Sequence, residues 1–303
     1  MKIGYFADGP WSHKAIERIT ECEELEIVFI VPRFDTQDPV LKAWADKLSV
    51  PFIPVQDVNT PEFLAQMDEY KPDLLVSMSF NQILKKDIIY YAPKGFINCH
   101  AGALPFYRGR NPLNWALING EKHFGITVHY VDEGIDTGDI IEQRFFPITQ
   151  NDNYGSLLEV AIEECAEVLF AGIQKVHQGN FRRIVQDDIH PVATYFGIRT
   201  FGDENIDFNW SAKRCFNFIR AISEPGPGAR FFINDKEFII ESAELIPNAP
   251  DYIATVGEIV GRVPQGVTVK VGDSTLLITL ISEPNKEAYI PSFRIGTRLN
   301  VNK

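Results

Sequence analysis

The chain has 303 residues, 45% hydrophobic and 23% charged, which excludes a disordered, collagen-like or coiled-coil protein and leaves room for two folded domains. Lys and Arg number 29 against 41 Asp and Glu, a net charge of −12. Binding a polyanion rests on cations that neutralise phosphates, so no nucleic-acid partner is expected, while a local pocket for one small phosphorylated ligand stays open.

The N-terminal run Met1 to Ala7 reads as a first strand rather than a signal peptide. Short apolar runs follow at 26–32, 51–55, 73–80 and 95–100. Between them, 13–24, 38–49, 60–70 and 82–91 have helical spacing or helix-start signals such as Asn59-Thr60-Pro61-Glu62. This alternation predicts an α/β domain: a Rossmann-like, mostly parallel sheet with helices on both faces and ligands beyond the carboxyl ends of its strands. Residues 126–131 and 139–145 read as two more strands joined by a turn-rich loop, 132–138, and 153–178 as a long amphipathic helix.

After about residue 180 the texture changes. We read 1–180 as one domain, 181–206 as a linker and 207–303 as a second domain. A short helix at 210–222 ends at Glu224-Pro225-Gly226-Pro227-Gly228. Strands are expected at 230–234, 237–245, 255–263, 266–271 and 274–281, the spacing of a small β-barrel-like or sandwich domain. The cysteines, Cys22, Cys99, Cys165 and Cys215, are far apart and lack metal-ligand spacing, so free thiols in the cytoplasm and no metal are expected. No apolar run approaches the ~20 residues of a membrane span.

The segment 98–112 is the densest in chemistry. Asn98 and His100 alternate along a strand and project to one face, at its carboxyl end. An amide beside an imidazole can polarise a carbonyl and manage a proton, though the same pair also reads as a plain strand ending. Asp136, in Asp136-Thr137-Gly138-Asp139, is first of all a turn residue, yet a carboxylate brought near His100 would orient the ring and favour its charged form. His129 reads as a structural histidine, and Trp210 as a residue docking the two domains. Gly9 to Lys14, following the first strand, is either a plain connection or a phosphate cradle at a helix N-terminus. Arg108 and Arg110 are candidate phosphate ligands flanking the catalytic loop.

Together these segments resemble the folate-dependent formyltransferases, closest to the enzymes that formylate nucleotide-linked amino sugars and related to methionyl-tRNA formyltransferase. The matching run is Asn98 and His100, Leu104 to Gly109, Trp115-Ala116, Asn119-Gly120-Glu121, Gly125 to His129 and Asp136 to Ile140. It continues in Ile206 to Trp210, Phe216 to Ala221, Pro227-Gly228-Ala229 and Gly257 to Val260, so the resemblance covers nearly the whole chain. It implies that 1–180 is catalytic, that Asn98, His100 and Asp136 are the catalytic trio, and that 10-formyltetrahydrofolate is the formyl donor. It places the pterin between the loop Phe80-Asn81-Gln82-Ile83-Leu84 and the loop carrying Asp136 and Asp139. Where family members often carry Ser-Leu before Leu-Pro, this chain has Gly102-Ala103.

The acceptor is read from charge. In the tRNA enzymes the loop after the second strand is typically long and rich in Gly, Lys and Arg. Here Val31 to Pro39 holds one Arg and two Asp, and residues 203–303 carry 11 Lys and Arg against 13 Asp and Glu. Charge thus disfavours tRNA, and the resemblance to the sugar enzymes implies a small nucleotide-linked amino sugar as acceptor, a 4-amino-4,6-dideoxy hexose of cell-surface polysaccharide synthesis. Trp11, Ser12, Lys14, Arg108, Gly109 and Arg110 are its candidate ligands. Methionyl-tRNA is the alternative, and monomer and homodimer are both left open.

Overall fold

The computed structural model describes residues 1–300. In chain order it runs β1 (Lys2–Ala7), α1 (Gly9–Thr20), β2 (Glu26–Pro32), α2 (Pro39–Leu48), α3 (Pro61–Met67), β3 (Leu74–Met78), α4 (Lys86–Ile89), β4 (Phe96–His100), β5 (Arg108–Gly109), α5 (Pro112–Ile118), β6 (His123–Tyr130), β7 (Ile140–Pro147), α6 (Tyr154–Gln178), α7 (Gln186–Ile189), β8 (Tyr195–Phe196), α8 (Ala212–Ala221), β9 (Ala229–Ile233), β10 (Lys236–Leu245), β11 (Ile259–Val263), β12 (Gly266–Lys270) and β13 (Thr275–Ser282).

Six strands form one sheet in the order β2-β1-β3-β4-β6-β7. The first four are parallel, and β6 runs antiparallel to β4. β1, β2 and β3 are buried along almost their whole length, which requires cover on both faces and explains their unbroken apolar runs. Phe6 stands at the centre of an aromatic cluster, its ring 5.1 Å from Phe96, 5.6 Å from Phe80, 5.9 Å from Phe29 and 6.1 Å from Phe63. These edge-on and tilted packings fix the sheet against the segments on one of its faces.

Some local expectations shift. Residues 51–55 form no strand: Phe52 alone bridges to Ile30, because Pro51 and Pro54 lack the N–H a ladder needs. The first helix begins at Gly9, with Pro10 in its first turn, rather than at 13. Only Lys86–Ile89 of the stretch 82–91 is helical. Residues 181–206 carry α7 and β8, and β8 pairs with β5 in parallel, Arg108 opposite Tyr195 and Gly109 opposite Phe196.

The chain separates into two compact units. One holds Met1–Pro112, Phe124–Phe146 and Glu159–Phe196; the other holds Leu113–His123, Pro147–Leu158 and the residues from Gly197 on. The second unit contains a five-stranded antiparallel sheet, β11-β12-β13-β10-β9. Asn300 bridges to Phe232 on its last strand and Arg298 to Glu258 just before its first, so the terminal stretch touches both edges in a barrel-like closure. Trp210, expected to dock the two domains, packs within this unit against Phe218 (5.1 Å) and under Arg214 (4.4 Å). Among the described residues no helix is long and apolar enough to cross a membrane.

Candidate active site

The site forms where β4 and β6 pair at the carboxyl end of the sheet. Their register sets Asn98 opposite His129, so the two side chains share a face. Asn98 Nδ2 lies 3.3 Å from His129 Nε2. The other ring nitrogen, Nδ1, is 2.8 Å from the Tyr130 carbonyl. A carbonyl only accepts, so Nδ1 carries the hydrogen and Nε2 of the neutral ring accepts from the Asn98 amide. The second Asn98 N–H has no partner among the described residues, and Asn98 is the one residue of β4 that is not fully buried.

His100 is held in the same manner. Its Nε2 donates to the Tyr107 carbonyl at 2.7 Å, which turns Nδ1 toward Asp136, 3.7 Å from Oδ2. Gly102 makes this possible: a Cβ there would stand 2.5 Å from His100 Nε2 and 2.8 Å from the Tyr107 oxygen. Gly102, where the family often has Ser, thus leaves the space that the His100–Tyr107 bond occupies.

Asp136 completes the group. Its Oδ2 accepts from the Gly109 N–H at 2.8 Å, and Oδ1 lies 3.5 Å from His129 Nε2. Burial alone would raise its pKa. The His100 and His129 rings, once charged and so each presenting an N–H to it, together with the Gly109 N–H outweigh burial and hold the carboxyl well below the usual carboxylate range. Asp136 is therefore an anion at neutral pH, and a proton arriving on His100 Nδ1 would face it. Its backbone is left-handed, φ +54°, which an Asp tolerates better than most residues. Beside it, Asp132 makes the turn, accepting from the Gly134 N–H at 3.1 Å and from the Thr137 hydroxyl.

His129 thus belongs to the cluster rather than only to the strand core. Alternation along one strand could not reveal this, because the β4–β6 register decides what it faces.

Among the candidate ligands, Arg108 is turned inward. Its guanidinium is buried and bonded to Gln186 Oε1 and the Tyr195 hydroxyl. Gly109 offers its N–H to Asp136, and the exposed arginine of the pair is Arg110, whose backbone N–H bonds the Phe196 carbonyl. Trp11, Ser12 and Lys14 lie in α1 and are not tied to the cluster. Ser12 is buried and donates to the Gly9 carbonyl, while Lys14 pairs with Glu163 at 3.1 Å. One carboxylate already holds the N-terminus of α1: Asp38 Oδ2 accepts from the Gly9 N–H at 2.9 Å and contacts His13 at 2.7 Å.

The 80–84 loop is tied to neighbouring segments of the chain. Gln82 accepts from the Val58 N–H and donates to the Val55 carbonyl, Ile83 O accepts from Asn59, and Asn81 reaches Asp35 at 3.3 Å. Phe80 and Leu84 pack on the core, while Ile83 is 83% exposed. Asp139 contributes its carbonyl to the Tyr130 N–H. Among the described residues no group of His, Cys, Asp and Glu could hold a metal ion.

The formyl transferase model matches residues 12–171 and the formyl transferase C-terminal domain model matches 200–294. The chain belongs to the formyl transferase family. Formyl transfer is accordingly its reaction. Methionyl-tRNA formyltransferase of Syntrophus aciditrophicus is 32% identical to it over 267 residues (86% of this chain, 83% of the other), and that of Clostridioides difficile 31% identical over 296 residues (95% and 94%). Among solved structures, the chain is similar to WlaRD, a sugar 3N-formyl transferase crystallised with dTDP and 5-N-formyl-THF (TM-score 0.70, 22% identity, 95% of this chain and 99% of that one). It is equally similar to the N-formyltransferase of Helicobacter canadensis in complex with folinic acid and dTDP-3-aminofucose (TM-score 0.70, 22% identity, 92% and 98%). At these identities the structural likeness speaks for the formyltransferase fold.

Proposed function

We propose that this formyltransferase moves a formyl group from 10-formyltetrahydrofolate to the amine of a nucleotide-linked amino sugar, a 4-amino-4,6-dideoxy hexose destined for cell-surface polysaccharide. The observation that carries the choice of acceptor is the loop after β2. Its one cation, Arg33, is turned inward: Nε donates to the Ser79 carbonyl at 2.7 Å, Nη2 to the Ser79 hydroxyl at 3.2 Å, and Nη1 lies 3.7 Å from Asp8. What the loop presents is Phe34, Asp35, Thr36 and Gln37, with no positive charge to meet the phosphates of a tRNA. A small substrate carrying two phosphates asks for far less, and Arg110 is the exposed arginine beside the site.

The donor supplies an activated formyl carbon. Asn98, with its uncommitted N–H, holds the formyl oxygen as negative charge grows on it, a contact whose loss commonly costs ~100- to 1000-fold in rate. The amine nitrogen bonds to the formyl carbon and sheds a proton to His100, the proton passes to N10 of tetrahydrofolate as the carbon–N10 bond breaks, and Asp136 remains ionised beside the ring as its counter-charge. His129 holds the Asn98 amide in place. The exposed side chain of Ile83 offers an apolar contact for a pterin. The four cysteines are free thiols, which fits a cytoplasmic setting.

Methionyl-tRNA is the second reading, favoured by the names and coverage of the relatives 31–32% identical to this chain. A direct competition separates the two. With 10-formyltetrahydrofolate as donor at physiological salt, dTDP- and UDP-linked 4-amino-4,6-dideoxy hexoses and the 3-amino isomers are run against methionyl-tRNA. A kcat/KM at least ~100-fold higher for one of the sugars is expected. Formylation of methionyl-tRNA at a rate matching the best sugar would transfer the assignment to the second reading.

A further inference from the structure

We propose that Gln186 is a positioning residue for Asp136, acting with Arg108 as a clamp between the two loops that carry the site. This rests on the reading of Asp136 as part of the catalytic group. Gln186 opens α7, within a stretch whose composition reads as a linker, yet it is only 2% exposed. Its Nε2 donates to the carbonyls of Asp136 and Gly138, both at 2.8 Å. Its Oε1 accepts from Arg108 Nε at 3.0 Å and Nη2 at 2.6 Å. An amide has two hydrogens and two lone pairs, and here all four are used. The amide orientation follows from its partners: turned over, it would set an oxygen against two carbonyls and an NH2 against a guanidinium.

The consequence reaches the carboxylate. Asp136 sits at φ +54°, a conformation that costs a residue with a side chain some energy and that its surroundings therefore help to hold. Gln186 holds the backbone at 136 and 138, and the Gly109 N–H holds the side chain. Arg108 joins the two restraints, since it precedes Gly109 in the chain and bonds Gln186. Its third link, Nη1 to the Tyr195 hydroxyl at 2.6 Å, ties in β8. Removing the donations from Gln186 frees the Asp136 backbone to relax and swings the carboxylate away from His100 and His129. A displacement on the order of 1 Å in such a site can cost about 100-fold in rate.

The test is a pair of substitutions in two backgrounds. Gln186→Glu keeps the shape and the acceptor toward Arg108 but replaces both donations with an oxygen facing carbonyls. Gln186→Ala removes the side chain and leaves room for water, and it carries the comparison if the first variant does not fold. Each is made in the wild type and in Asp136→Asn, and assayed with 10-formyltetrahydrofolate and the acceptor, sugar nucleotide or methionyl-tRNA, that the competition above selects. We expect kcat to fall about 10- to 100-fold in the wild-type background, with KM for the donor within about 3-fold. In the Asp136→Asn background a further loss of no more than about 2-fold is expected, because the group being positioned is already disabled. In histidine ring 15N spectra, which need no acceptor, the resonances of His100 and His129 should move while those of His123 and His177 stay. Folded Gln186 variants that keep more than half of kcat and leave the His100 and His129 resonances unmoved would overturn the proposal. So would an equal loss in both backgrounds. If Asp136→Asn alone turns over like wild type, the catalytic reading of Asp136 fails instead, and that outcome is separate.

Discussion

Replacing Gly109 with Ala tests the geometry of the site at its narrowest point. Gly109 has φ +92°, and a Cβ added there would stand 2.3 Å from the Phe196 carbonyl oxygen, a backbone atom that cannot swing aside. The left-handed backbone costs about 1–2 kcal/mol for a residue with a side chain. Pushing Phe196 away breaks the bond its carbonyl accepts from the Arg110 N–H at 2.9 Å, about 1 kcal/mol. Moving the Gly109 N–H off the Asp136 carboxylate at 2.8 Å removes a charge-assisted bond, about 1.5–3 kcal/mol. The stiffer unfolded chain returns about 0.4–1 kcal/mol. The balance is a loss of at least ~2.5 kcal/mol, which for a unit of this size lowers the melting midpoint by at least about 5–10 °C. Circular dichroism melts of the wild type and Gly109→Ala measure it, alongside kcat, which should drop at least ~10-fold as the carboxylate loses its tether. A Gly109→Ala protein melting within about 1 °C of wild type with unchanged kcat would refute the reasoning at both steps.

Asn98→Ala and His100→Ala should each lower kcat at least ~100-fold while the protein stays folded, as judged by the same melts; His100→Ala retaining more than half of the wild-type rate would remove it from the mechanism. Acid should bear on Asp136 in a defined direction. Its native carboxyl is held below the value it has in the unfolded chain, near 3.9, so its contribution to stability is fully present above about pH 4 and is lost as pH falls below that. Denaturant unfolding between pH 6 and pH 3 should therefore show a steeper loss below about pH 4 for wild type than for Asp136→Asn, and parallel curves would contradict the assignment.

Much of this molecule is legible from local pattern. The runs 2–7 and 26–32, with Leu74–Met78, are strands because they are apolar, short and bounded by turn signals, and the long stripe of Leu157, Ala161, Cys165, Leu169 and Ile173 is a helix because those residues recur on one face. The pairing of Asn98 with His100 on one face of β4 follows from the two-residue period of a strand. These are properties of neighbours along the chain, and a sequence states them directly. What the tertiary structure decided are relations across it. The β4–β6 register set His129 beside Asn98. Folding of 186–196 back onto β5 turned Arg108 from a candidate phosphate ligand into a buried tie and made Gln186 the partner of Asp136. The same holds for Arg33, by composition the one cation of its loop and in the fold an internal partner of Ser79 and Asp8. Residues 98, 129, 136 and 186 meet because strand pairing and loop closure fix distances between parts of the chain far apart in sequence, and no periodicity in the residues themselves encodes those distances.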